Sequence, residues 1–403
     1  MSRNWAQGQH RLGHWLGEQD ALWRFSPFDE AGLEQIKARL SPKLSGILTG
    51  LREDEVLGML AAEDEGRALR VHLAPGLPAL AEIQQTLDEM IPGLRRAATE
   101  PATLHMMHAR RGIGGRKLEQ IDAFLDAVGP LRMPALDWCA GKGHLGRLAA
   151  LRDDVAVDCL ERDPALCRSG AQLARRDAVT LRFIAADALS PVAEPQLAGR
   201  HVLALHACGE LHRRLVDHAD RLGVRALDVA PCCHHRGNDL ADLAADAATP
   251  FAPAPSQLRL SVTGYATASA SQRQRHRRLL GWQCALRRVS RQCWGLPSDS
   301  LPSQQAGAAE ACRFSDWAAP AARKQGMSLP AAPELAAHEA AGHAEALDML
   351  RASLLRLACQ RPIETWLVAR LAARLEGQGY AVTVRRFCAA PLTPRNLLVS
   401  ARH

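Results

Sequence analysis

Between residues 135 and 230 the chain alternates short apolar runs with longer stretches in which apolar residues recur at helical spacing. The runs Ala135–Trp138, Val155–Leu160, Leu181–Ala185, His201–Leu205 and Ala226–Ala230 predict strands. Helices are expected to begin near His144, Pro164 and Leu211. Asp163-Pro164 is a start signal, because the aspartate can cap the first amides and proline fits the first turn. Short strands alternating with helices predict an α/β fold with a doubly wound, mainly parallel sheet.

The flanks read differently. Residues 1 to about 110 predict a helical region, with helical spacing over Glu30–Ile36 and Leu80–Leu87. Arg116–Val128 reads as a helix that Gly129-Pro130 ends. Residues 246 to 335 are rich in Ala, Pro, Ser and Arg and hold the basic stretch Gln272–Arg278. They are expected to form an irregular insertion, with a loop over Pro297–Ala309. Helical periodicity returns from Ala332 to Glu376, and Gly377-Gln378-Gly379 stops it. Tyr380–Phe387 and Asn396–Ala401 are two further strand candidates. The sheet-bearing domain is therefore expected to span 111–403 around the insertion. No internal repeat is visible.

Composition narrows the class. The chain has 403 residues, of which 47% are hydrophobic, enough for a full core. No apolar run is long enough to predict a membrane span, and the N-terminus lacks the apolar stretch of a signal peptide, so the cytoplasm is the expected address. Eleven scattered cysteines read as reduced thiols rather than a disulfide framework. The net charge of +7 fits a nucleic-acid partner, and it also fits a compositional abundance of Arg and Ala.

The candidate chemistry starts at the first strand. Asp137-Trp138-Cys139-Ala140-Gly141-Lys142-Gly143 leads from a strand through a tight loop into a helix, and Glu161 ends the next apolar run. Glycines admit a ligand against bare backbone, a helix N-terminus favours an anionic group, and an acid after the second strand can accept from ribose hydroxyls. The spacing is not Gly-x-Gly-x-x-Gly, and no Ser or Thr follows Lys142 as a phosphate loop requires. Asp137, Cys139, Ala140, Gly141, Gly143 and Glu161 are the expected cofactor contacts, with Asp137 near the cofactor amine. Asp187 and Ala188, after the third strand, are expected beside an adenine ring, with a helix cap as the second reading of Asp187.

Two further strand tips are polar. Ala204-Leu205-His206-Ala207-Cys208-Gly209 and Pro231-Cys232-Cys233-His234-His235 put His206, Cys208, Cys232, Cys233 and His234 forward as residues of an acceptor pocket, with His206 also near the cofactor. A histidine could take a proton from the acceptor or orient it. Four metal-ligating residues in a row also suggest zinc, with Cys208 joining. Neighbours in an extended segment point opposite ways, however, and structural zinc sites space their ligands in pairs, so no metal is expected.

The loop Asp137–Gly146, the segment Leu205-His206-Ala207-Cys208-Gly209, the segment Pro231-Cys232-Cys233 and the ending Pro391–Asn396 together resemble class I methyltransferases. They are similar to the methyltransferase half of the glutathione S-transferase C-terminal-domain-containing proteins and to the Trm-thirteen type of tRNA 2'-O-methyltransferases. The resemblance covers roughly residues 112 to 240 and the last forty. It implies a Rossmann-like, seven-stranded methyltransferase sheet, closed by the last helix and two strands with the final strand antiparallel, and S-adenosylmethionine as cofactor. The zinc finger that the tRNA enzymes carry before this domain has no matching Cys–His pattern in residues 1 to 110. RNA, of the tRNA or rRNA kind, is the acceptor class expected. A protein or small-molecule acceptor is the second reading, and a non-catalytic cofactor- or zinc-binding module is the third.

Overall fold

A seven-stranded sheet organises the chain. In the computed structural model, residues 4–28, 30–62, 64, 66–91, 104–237, 250–262, 269–297, 301 and 313–403 are described. The strands are β1 (Ala135–Trp138), β2 (Val157–Glu161), β3 (Leu181–Ala185), β4 (His201–Cys208), β5 (Ala226–Cys232), β6 (Ala381–Arg386) and β7 (Leu397–Arg402). Their order is β3-β2-β1-β4-β5-β7-β6. β1 to β5 run parallel, and β7 pairs antiparallel with both β5 and β6. The parallel strands are those the hydrophobic pattern predicts, and the reversed last strand is the one that the resemblance to class I methyltransferases implies.

Alternation along the strands builds two cores. Leu136, Trp138, Val202, Ala204, Leu227 and Val229 face one layer, whereas Ala135, Val157, Leu203 and Ala230 face the other. The second layer holds α8 (Gly115–Val128) and α9 (His144–Asp153). The first layer is dominated by one long helix, here α14 (Ala332–Gly377), with α11 (Glu210–Asp217) beside it. The remaining βα helix, α10 (Pro164–Arg176), starts at the expected cap: Asp163 Oδ1 accepts from Ala165 N at 2.8 Å. A buried polar cluster ties the middle of the sheet to its antiparallel strand. Asp228 on β5 meets His201 Nε2 at 2.6 Å and accepts from Ser400 Oγ at 2.5 Å.

The N-terminal region is helical, as read from its periodicity. It comprises α1 (Trp5–Glu18), α2 (Glu30–Arg39), α3 (Pro42–Gly50), α4 (Glu53–Leu60), α5 (Arg67–Leu73), α6 (Ala79–Met90) and the short α7 (Leu104–Ala109). Buried residues of α1, α3, α4, α5 and α6, among them Trp5, Leu12, Leu16, Val56 and Leu80, share one core with α14 and with one face of the sheet. The region is thus packed against the sheet-bearing part of the chain.

The stretch 246–335, expected to be irregular, is largely helical where it is described. A 3-10 helix covers Gln257–Val262, followed by α12 (Ala270–Gln292) and α13 (Phe314–Lys324). Its Arg/Ser/Ala composition masked a strong local start signal. Ser269 Oγ accepts from Gln272 N at 3.2 Å while Gln272 Oε1 accepts from Ser269 N at 2.8 Å, a reciprocal cap. α12 lies along α14 at close range: a Cβ on Gly281 would clash with the His343 ring, and one on Gly342 with the backbone of Ala285. Apart from Pro297 and Leu301, the loop expected over Pro297–Ala309 lies outside the described residues. Among the described residues no helix is long and apolar enough to cross a membrane.

Candidate functional site

The strand order reverses between β1 and β4, and a cavity of about 330 Å³ opens at the carboxyl ends of the strands there. Open α/β sheets bind ligands at such a point because the two connections diverge and leave a crevice. Cys139 follows β1, Glu161 ends β2, Ala186 to Leu189 follow β3, and Cys208 ends β4; all of them line the cavity. Glu210 and Leu211 from the start of α11, with Arg236 and Gly237, form its other wall.

Glu161 joins the first two strand ends. Its Oε2 accepts from Gly141 N at 2.9 Å and its Oε1 from Asp163 N at 3.0 Å. A carboxylate has roughly four acceptor positions, so two remain for a ligand. Asp187 lines the cavity and also closes its own turn, Oδ1 accepting from Leu189 N at 2.9 Å. The bond closes a turn and not a helix cap, since no helix starts at Asp187.

Asp137 sits apart from the cavity wall. It is buried, its Oδ2 accepts from Gly146 N at 2.9 Å, and burial pushes its carboxyl up to about 7. The side chain ties β1 to the first turn of α9, and the cofactor-amine contact expected of it has no direct geometric support here. Ala140, Gly141 and Gly143 are likewise not among the residues lining the cavity. The two glycines adopt left-handed φ values of 59° and 64°. What excludes a side chain at Gly143 is the protein itself: a Cβ there would lie 2.7 Å from Phe183 Cζ and 3.1 Å from Cys159 Sγ. At Gly141 a Cβ would meet nothing within 4 Å, so only the backbone conformation demands glycine.

Three non-glycine residues at strand tips also have positive φ: Cys139 at 60°, His206 at 63° and Cys233 at 48°. Such backbones cost of order 1–3 kcal/mol each and gather at functional sites. In β4 the irregularity coincides with a register shift between Leu205 and Cys208, after which Cys208 pairs with Cys232. The consequence is a cluster of three thiols. The Sγ atoms of Cys208, Cys232 and Cys233 all lie within 4.8 Å of one another, and Cys208 and Cys232 are 3.1 Å apart. The expectation that adjacent cysteines must point apart fails here, because the left-handed turn at Cys233 breaks the strand's alternation. A hydrogen bond from Cys232 draws the Cys208 thiol down to about 6, while the same bond and burial push Cys232 up.

The histidines are placed less favourably than their positions in the chain suggested. His206 Nε2 lies 3.1 Å from Gln120 Oε1 of α8, and its Nδ1 is buried without a hydrogen-bond partner. Burial and then Arg395 lower its pKa to about 4, which keeps the ring neutral. His206 is not among the cavity-lining residues. His234 is buried edge-on against His212, with ring centroids 4.9 Å apart, and stands outside both the cavity wall and the thiol cluster. Of the five acceptor-pocket candidates, only Cys208 lines the cavity, with Cys232 and Cys233 behind it.

Arg236 and Gly237 were missed in the sequence because they follow β5 with no periodic signal. The available clue was Gly209, whose Cβ would strike the carbonyl of Arg236, so the two strand-tip loops touch.

Residues 116–239 match the family model for a methyltransferase domain. The matched segment runs from α8 past β5 and contains every residue of the cavity wall, so sequence family and pocket geometry point to the same part of the chain. No curated protein matches the chain.

Proposed function

We propose that the chain is an S-adenosylmethionine-dependent methyltransferase whose acceptor is RNA. The observation that carries this reading is the cavity at the β1/β4 switch point with the Glu161 carboxylate on its wall. Bound there, S-adenosylmethionine would supply an electrophilic methyl group for in-line displacement, a reaction that depends above all on positioning. Glu161 has acceptor positions left for two ribose hydroxyls. Asp187 and Ala188 offer a polar edge and a small buried side chain where an adenine would lie. The N-terminus of α9 beside the Gly141–Gly143 loop favours a carboxylate. Cys208, Arg236 and Gly237 border the side on which an acceptor would enter.

The RNA acceptor is supported by α12. Arg275, Arg277 and Arg278 line a hollow of about 490 Å³ there, and Arg275 is exposed. Cations along one helix can follow a phosphate backbone. A protein or small-molecule acceptor is the second reading. Arg277 pairs with Glu53 of α4, and the Arg278 guanidinium lies 5.0 Å over the Trp282 ring, so part of this charge serves packing. The deciding experiment is transfer of tritiated methyl groups from S-adenosylmethionine, by the purified chain, into fractionated RNA, protein and small molecules from cells lacking it. Label in RNA supports the first reading. Label only in another fraction supports the second.

A further inference from the structure

We propose that Cys208, Cys232 and Cys233 bind one thiophilic divalent cation, with zinc as the representative ion, and that the ion turns an open coordination position toward the cavity. Zinc–thiolate bonds of about 2.3 Å in a tetrahedral arrangement place sulfurs about 3.8 Å apart. The three Sγ atoms lie within 4.8 Å of one another, with Cys208 and Cys232 3.1 Å apart, so changes of up to about 1 Å in the sulfur–sulfur distances reach that geometry.

The backbone is shaped to bring these sulfurs together. A regular β5 would send Cys232 and Cys233 to opposite faces. Cys233 instead takes φ +48°, and β4 breaks register after Leu205, with His206 at φ +63°, to bring Cys208 opposite Cys232. Left-handed backbone at two non-glycine residues is costly, and both instances fall beside the same three sulfurs. Charge is accommodated as well. Three thiolates and a divalent ion sum to one negative charge, and Arg395 Nη1 lies 3.9 Å from Cys233 Sγ to offset it.

The arrangement resembles an open site more than a closed one. Structural zinc has four protein ligands, whereas catalytic zinc keeps one position for water or substrate. His234, the neighbouring candidate for a fourth ligand, is turned into its contact with His212. Of the three thiols, Cys208 alone lines the cavity, while Cys232 and Cys233 are buried behind it. The fourth position therefore faces the cavity, where it would take water or a soft donor of an entering molecule. Among the described residues a second cluster, Cys293, Glu334 and His338, also has ligand-like spacing, but Cys293 and Glu334 are exposed and neither has a left-handed backbone. It serves as the internal control.

The test is titration of the reduced, metal-free full chain with cobalt(II), followed by displacement with zinc(II). The expected result is one equivalent of cobalt, with an intense near-ultraviolet thiolate-to-cobalt charge-transfer band that zinc abolishes. In C208S, C232S and C233S, with folding checked by circular dichroism, affinity should fall at least about tenfold. C293S should titrate like the wild type. A wild-type chain without the charge-transfer band overturns the proposal whatever the variants do. So does a C233S variant that binds cobalt as tightly as the wild type, or a band that disappears in C293S. A reduced chain that reoxidises to a Cys208–Cys232 disulfide and takes up no cobalt in the reduced state overturns it as well.

Discussion

Gly143 and Phe183 are packed so closely that a Cβ on the glycine would lie 2.7 Å from the phenylalanine Cζ. The ring of β3 fills the notch beneath the β1 loop, and a Cβ on Gly170 of α10 would strike the same ring. The loop is thus held from below by the sheet, independently of any ligand.

G143A should therefore cost stability twice, once through its φ of +64° and once through overpacking. Together these amount to about 2 kcal/mol or more. G141A should cost about 1 kcal/mol, because only its φ of +59° opposes it. Adding F183L to G143A should recover part of the loss. Urea denaturation midpoints of the four proteins measure this, and equal midpoints for G141A and G143A would contradict the packing explanation.

Asp137 should make the protein less stable as pH rises toward neutrality. Its folded carboxyl titrates near 7, above the ordinary value of 3.8, so the folded chain holds a proton that the unfolded chain has released. The stabilisation is complete below about 4 and is lost as pH rises through about 7. The buried rings of His206 and His212, held near 4, act in the opposite sense: their contribution is present above 6.5 and is lost as pH falls toward 4. Comparing D137N with the wild type separates the two effects. The variant keeps an acceptor for Gly146 N, and its stability at pH 7 relative to pH 5 should exceed that of the wild type. Identical pH profiles for the two proteins would mean that Asp137 does not carry the effect.

H234A should destabilise the fold without a selective effect on the cavity. The ring is buried against His212, and its removal leaves a void worth about 2 kcal/mol. Melting temperature should fall while cofactor affinity at a temperature where the variant is folded stays near wild type. A variant of unchanged melting temperature that loses methyl transfer would place His234 in the acceptor site after all.

Arg275 is the arginine of α12 best placed to report on RNA. It is exposed, whereas Arg277 is engaged with Glu53. R275Q should weaken RNA binding and lower the slope of log affinity against log salt by about 1. Cofactor affinity should not move. A salt slope equal to that of the wild type would remove this helix from an RNA surface.

Much of the sheet was legible in the chain. Ala135–Trp138 and Leu181–Ala185 fall on their predicted bounds, and β2, β4, β5, β6 and β7 differ from theirs by up to three residues at an end, because apolar runs bounded by turns report burial directly. The acidic tip at Glu161 was legible for the same reason: it is a polar residue ending an apolar run. The thiol cluster was not, since it depends on a register shift in β4 and on a left-handed residue at Cys233, both set by tertiary contacts rather than by local pattern. α12 was hidden by composition, although its cap, Ser269 with Gln272, stood in the sequence. The place of His234 off the cavity wall was not legible, because adjacency in the chain says nothing about which side of the strand tip packs against His212.

The most direct measurement is calorimetric titration of the full chain and of E161A with S-adenosylmethionine. The wild type should bind one molecule. E161A, with a melting temperature within a few degrees of wild type, should bind at least about tenfold more weakly, since the ribose hydroxyls lose charge-assisted hydrogen bonds. Equal affinity of the two proteins, or no binding to the wild type, would contradict the assignment of this cavity.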